Sequence, residues 1–214
     1  MALNIPGGEF LTGSLDVISQ SLTIPVLIIL LVIVIISIIS LGGIIAEYTS
    51  RRKVPVGTIR DLIYEINAAE SHEKLNGVIS SAKIPKSQKK VLSEIASSSE
   101  LGDSSREALA RKLFEFEEEK TEDALRKTDI ITRIGPTLGL MGTLIPMGPG
   151  LAALGAGDIN TLASSLTVAF NTTIVGIGSG ALCYVIGKVR SGWYDRYLSD
   201  LDALIDAVLD RMGR

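Results

Sequence analysis

Cysteine, histidine and aromatic side chains are scarce in this 214-residue chain, which has one Cys, one His and only 5% Phe, Trp and Tyr. A single cysteine, Cys183, excludes an intramolecular disulfide and any cysteine-based metal cluster. Because it lies inside an apolar segment, it reads as a packing residue. The sole histidine, His72, falls in a polar stretch and reads as an exposed surface residue. No grouping has metal-ligand spacing and no GxxxxGK[ST] loop occurs, so neither a metal nor another cofactor is expected, and no catalytic constellation is visible. The glycine-rich "GPTLGLMGTLIPMGPG" superficially suggests a phosphate loop, but it is embedded in an apolar run with no Lys or Arg after Arg133. With 21 basic and 24 acidic residues, the net charge of −3 points to no nucleic-acid partner.

Apolar residues, by contrast, make up 46% of the chain, and a mean hydropathy of +0.36 is too high for an ordinary soluble domain. Residues 17–46 carry no charge, and "PVLIILLVIVIISIISLGGIIA" is long enough to cross about 30 Å of hydrocarbon at about 1.5 Å per residue. No Lys or Arg precedes this run and the run is long for a secretory signal, so it reads as an uncleaved anchor. Two further charge-free segments, 134–157 and 159–187, flank the turn-like "GAGDIN" and read as a helical hairpin.

Basic residues set the expected orientation. Arg51, Arg52, Lys53 and Arg60 follow the first span, Arg126, Lys127 and Arg133 precede the second, and Lys188 and Arg190 follow the third. The positive-inside rule then puts the N-terminus outside and the C-terminus in the cytoplasm of a multi-pass protein of the cell (inner) membrane. The expected organisation is an outer-facing segment 1–21, a first span 22–47, a cytoplasmic helical region 48–129, a second span 130–157, a third span 158–187 and a cytoplasmic C-terminal helix 188–214. The fold class is all-α, with spans two and three extended into the cytoplasm.

In the middle region, "RDLIYEINAAE" places Leu62, Ile63 and Ile66 on one stripe, and Lys83–Ile84–Pro85 breaks the pattern. "SREALARKLFEFEEEKTEDALRKTDIITRI" is rich in strong helix formers, offers Ser105 as an N-cap and has no Pro or Gly before Gly135, so it should run straight into span two. Glu115, Glu117, Glu118 and Glu119 read as a solvated face. After span three, Leu198, Leu201, Ala203, Leu204, Ile205, Val208 and Leu209 give the C-terminal helix an apolar face.

Polar residues within the apolar segments raise a functional question, because "VAFNTTIVG" sets Asn171, Thr172 and Thr173 in a row at membrane depth. Gly135, Gly139 and Thr143 recur every four residues, as do Thr172, Gly176 and Gly180, and Gly142 adds a further small position. Such faces let membrane helices approach closely. They either pack the hairpin, with the hydroxyls bonding their own preceding turns, or serve assembly between subunits, which an isolated subunit would leave facing lipid. Thr143 and Thr173 each lie about 21 Å from the 157–159 turn, at one level across the hairpin, where several copies would create a ring of hydroxyls. Asn171 and Thr172 point elsewhere round the helix and are expected to bond a neighbouring helix. Pro146 and Pro149 should loosen or kink the outer half of span two.

"GPTLGLMGTLIPM" followed by "LTVAFNTTIVGI" resembles the paired last-two-helix signature of the MotA/TolQ/ExbB proton-channel family. The first motif is similar through Gly139, Leu140, Gly142 and Thr143, and the second, closest to the sodium-type motor-stator branch, through Val168, Ala169, Thr172, Thr173 and Gly176. The three-span layout is that of ExbB and TolQ. Members of the ExbB kind carry a glutamate about one helical turn before the third-helix threonine; Val168, Ala169 and Phe170 occupy that neighbourhood here. The resemblance implies a homo-oligomer, a pentamer, in the lipid bilayer, enclosing a single-span partner of the ExbD/TolR/MotB kind whose membrane carboxylate carries a proton or sodium ion. Thr143 and Thr173 would then line the ion path. The contrasting expectation is a non-conducting membrane scaffold in which the same residues serve assembly alone.

Overall fold

The computed structural model describes residues 8–50 and 54–213, and among these every regular element is an α-helix. In chain order they are α1 (Gly8–Ser21), α2 (Thr23–Ser50), α3 (Val56–Ala68), α4 (His72–Ser81), α5 (Lys86–Ala96), α6 (Asp103–Gly155) and α7 (Ile159–Met212). Three stretches are long and apolar enough to cross a membrane: Phe10–Thr49, Asp103–Gly155 and Ile159–Met212. The chain is all-helical with three candidate membrane-spanning stretches. At 53 and 54 residues, α6 and α7 each measure about 80 Å, far more than a hydrocarbon layer of about 30 Å can hold. The chain divides into two compact units, the first Met1–Glu47 with Arg126–Lys188 and the second Tyr48–Leu125 with Val189–Arg214.

In the first unit, α1 and α2 meet at Leu22, whose N–H donates to Ile18 and Ser19 carbonyls at 3.2 Å each. Residues 8–21, expected only as part of an outer-facing segment, form α1. Pro25 falls in the first turn of α2, where its missing N–H costs least, which places the junction at this point. Val26, Leu30, Ile33 and Ser37 form the buried stripe of α2, while Leu31, Ile38 and Ile39 on other faces stay exposed. Ile33, Ile131 and Cys183 make a small core with Ile36 and Leu138 against it. The Ser37 hydroxyl lies 3.3 Å from Cys183 Sγ and also reaches the Ile33 carbonyl at 2.7 Å.

The connection between α6 and α7 is three residues long, Ala156, Gly157 and Asp158. Gly157 adopts φ +82°, a conformation that favours glycine, and its N–H donates to Leu154 O while that of Asp158 donates to Ala153 O, both at 2.9 Å. This Schellman arrangement satisfies the last carbonyls of α6. Asp158 then caps α7, its carboxylate accepting from both the backbone N–H and the hydroxyl of Thr161. α6 continues as one helix through Pro136, Pro146 and Pro149.

The second unit has the larger core. Leu62 and Ile66 of α3, Leu75 and Ile79 of α4, Val91, Leu92 and Ile95 of α5, Ala110 of α6, and Leu201, Leu204, Ile205 and Val208 of α7 are buried together. Ile63 packs on its margin. Three local expectations change. Ala203 is exposed and Ala207 takes the inward position, because it continues the Leu204–Val208 face. Ser105 does not cap α6, which starts at Asp103 with the Gly102 carbonyl accepting from Arg106 N–H at 3.0 Å. Glu117 is not part of a solvated face: Glu115, Glu118 and Glu119 are exposed, but Glu117 turns inward, accepts from the Tyr197 hydroxyl at 2.7 Å and pairs with Lys120. Arg106 is buried as well and joins Asp103 Oδ1 at 3.1 Å, the Leu101 carbonyl at 2.8 Å and, at the far end of α7, the Met212 carbonyl at 3.5 Å. Arg211 donates to the Ala69 carbonyl, which ties the end of α7 to the end of α3. His72 is exposed at the first position of α4.

Candidate ion path on the membrane hairpin

Within the first unit, α6 and α7 meet along small residues. A Cβ added at Gly135 would lie 2.8 Å from the Gly176 carbonyl oxygen, and one at Gly176 would lie 2.7 Å from Gly139 Cα. Gly139 stands against the Thr172 carbonyl and Gly176, and Gly180 against the Pro136 ring. Nearer the turn, Gly150 faces Ser165. Helices this close gain dispersion contacts along their backbones, which is what associates helices in lipid, where apolar burial from water contributes nothing. The expectation that an isolated subunit leaves Gly135, Gly139, Gly176 and Gly180 facing lipid is therefore corrected. These faces close on each other inside one chain.

Thr172 belongs to the same seam. It is buried, and its side chain occupies the space beside Gly142, where an added Cβ would come within 2.6 Å of its own Cβ. Its hydroxyl donates back to its own helix, at 2.9 Å to Ala169 O and 3.1 Å to Val168 O, and not to a neighbouring helix. Such back-bonding satisfies the proton locally.

Thr143 and Thr173 flank this contact, each half-buried. Since Gly142 faces Thr172, the two threonines lie within about two residues, or about 3 Å, of one level along the antiparallel pair. Each hydroxyl also donates to its own helix, Thr143 to Leu140 O at 2.6 Å and Thr173 to Ala169 O at 3.1 Å. With their protons engaged, both oxygens retain lone pairs, so the pair can offer acceptors to a cation or to an acid's proton. Asn171 is exposed, and so are its neighbours Phe170 and Ile174.

No Asp, Glu, Lys, Arg or His occurs between Arg133 and Asp158 or between Asp158 and Lys188, so the hairpin walls bring no charge or histidine to this level. Sequence reading did not single out Gly150, Ser165 or the Ser37–Cys183 contact. A longer scan could have found most of them, because small residues recur at 135, 139, 142 and 150 on α6 and at 165, 172, 176, 180 and 183 on α7.

A three-span helical protein with a glycine-lined terminal hairpin and hydroxyls at one depth is the class that these features define. The family model described as MotA/TolQ/ExbB proton channel family matches residues 70–203, well over half of the chain and including both signature motifs. The chain belongs to this family. No curated protein sequence matches it significantly.

Proposed function

We propose that this chain is the pore-scaffold subunit of an ion-driven, energy-transducing membrane complex. Several copies, five by likeness to the family, surround a single-span partner of the ExbD/TolR/MotB kind, and that partner supplies the membrane carboxylate. Protons or sodium ions bound at this acid pass the hydroxyls of Thr143 and Thr173, and the resulting relative motion is handed to an outer-facing domain of the partner. The N-terminus lies outside, while 48–129 and 188–214 form the cytoplasmic part, which makes the long ends of α6 and α7 cytoplasmic extensions of the spans. One charge crossing 100 mV releases about 2.3 kcal/mol, enough to bias such a motion.

The observation that carries this reading is the pairing of family membership with two acceptor oxygens at one depth in spans without charged residues. A threonine hydroxyl does not titrate, so an ion path along these spans needs a titratable group from a partner. The test is voltage-driven proton and sodium flux into liposomes containing the chain with and without its single-span partner. Partner-dependent flux supports the proposal; a well-assembled complex with no flux for either ion overturns it.

The second reading, a non-conducting scaffold, draws on a specific observation too. The hydroxyls of Thr143, Thr172 and Thr173 each bond their own helix, as they would if the residues only packed. The same flux measurement separates the two readings.

A further inference from the structure

A cavity of about 950 Å³ opens in the second unit between the α4–α5 connection, the start of α5, and the α6 and α7 walls. Lys83, Lys86, Lys89 and Lys120 all line it, in a chain whose net charge is −3. The acid in the lining is Glu117, and its charge is already committed: Lys120 pairs with one oxygen and the Tyr197 hydroxyl donates to the other. Burial pushes the Tyr197 hydroxyl well above its ordinary value, so it stays a protonated donor to Glu117. Lys89 gives one proton to the Ser80 carbonyl at 2.6 Å and keeps two. Lys83 and Lys86 pair with no carboxylate among the described residues. At the cavity edge, α5 begins after Pro85 with no side-chain cap, which leaves the first N–H groups of the helix without a side-chain acceptor. Three ammonium groups without a carboxylate partner among the described residues, beside an uncapped helix start, suit a multiply charged anion. A monocarboxylate would leave most of that charge unmatched.

We infer that this cavity binds a phosphate-bearing anion, held by Lys83, Lys86 and Lys89 at the start of α5. Its volume lies in the range of small-molecule sites. Two sources present this chemistry: a soluble phosphate compound, and the headgroup of an anionic phospholipid. The second is reasonable on chain distance, since Tyr194 of the cavity wall follows the third apolar segment by only about two helical turns. The inference is independent of the ion path on the hairpin.

The test uses the full chain in nanodiscs. In the soluble arm, pyrophosphate is titrated calorimetrically into protein held in phosphatidylcholine discs. In the lipid arm, phosphatidylglycerol retained by protein purified from a mixed bilayer is counted by mass spectrometry. Wild type should bind in at least one arm, and the arm that responds identifies the source. The double variant Lys83→Gln/Lys86→Gln should bind about tenfold more weakly or worse in that arm, while Lys83→Arg/Lys86→Arg retains binding. Both lysines are exposed, so the fold should survive, as a thermal melt of the variant will show. Lys74→Gln/Lys112→Gln changes net charge equally at lysines outside the cavity lining and should bind like wild type. The inference is overturned if wild type binds in neither arm, if the glutamine pair at 83 and 86 binds like wild type, or if the control pair loses binding equally.

Discussion

Thr172 fills the space that a side chain at position 142 would need: a Cβ on Gly142 would sit 2.6 Å from the Thr172 Cβ and 2.7 Å from its hydroxyl oxygen. One buried threonine thus fixes how closely α6 and α7 approach, and the glycines on either side of it continue the seam.

Gly176→Ala should open that seam. Its Cβ would meet the Gly135 carbonyl oxygen at 2.5 Å and Gly139 Cα at 2.7 Å, and backbone cannot swing aside as a flexible side chain can. Overpacking of this kind costs about 1–3 kcal/mol, more than the helix-propensity gain of about 1 kcal/mol from replacing glycine. Gly178→Ala meets nothing within 4 Å in the chain and should keep or raise subunit stability. Thermal melts in mild detergent compare the two, and equal stability of both variants would contradict the seam.

The polar triplet should separate into three phenotypes. Thr173→Val keeps the shape, loses the acceptor oxygen and should lower flux while assembly persists. Thr172→Leu enlarges a buried residue against Gly142 and should destabilise the subunit itself by about 1–3 kcal/mol. Asn171→Leu alters an exposed position and should change oligomer yield with little effect on the melt of the subunit. Oligomer yield, melting temperature and flux are measured for each; full flux in Thr173→Val removes that residue from the ion path.

Topology is testable at the hairpin turn. In a Cys183→Ser background, a cysteine at position 158 should react with an impermeant reagent added from outside, and cysteines at exposed positions in 60–120 should not. The reverse labelling would invert the orientation and with it the direction of energy transfer.

The acidic face of α7 should show in the pH dependence of stability. Partial burial, with the Asp202 and Asp210 carboxylates one turn to either side, holds the Asp206 carboxyl above its ordinary value. A carboxyl with a raised folded-state pKa contributes stability that is fully present below the unfolded value and is lost as pH rises through the folded one. Asp206→Asn should therefore raise the melting temperature at pH 7, and its advantage should shrink as the pH falls through the raised folded-state value and be gone below about 4, where aspartate is protonated in the unfolded chain as well. A variant less stable than wild type at pH 7 would show that the Asp206 charge has a compensating partner.

What the sequence determined by itself was the set of features governed by local energetics. Charge is costly in hydrocarbon whatever the neighbours, so the charge-free runs marked the apolar segments of α2, α6 and α7 directly. Gly157 and Asp158 marked the end of one long helix and the start of the next because a positive φ and an N-cap are satisfied within a few residues. The level shared by Thr143 and Thr173 followed from counting outward from that turn. Tertiary structure decided the pairings between residues far apart in the chain. A glycine stripe reads the same whether its partner is its own hairpin or another subunit, and only the folded chain closed Gly135 and Gly139 on Gly176 and Gly180. The same holds for Glu117, which looked like its exposed neighbours until Tyr197, 80 residues later, supplied the donor that lets it turn inward. Arg106 needed a carbonyl 106 residues away at Met212. A buried polar group is tolerated only where a partner meets it, and a partner that distant leaves no trace in the pattern around either residue.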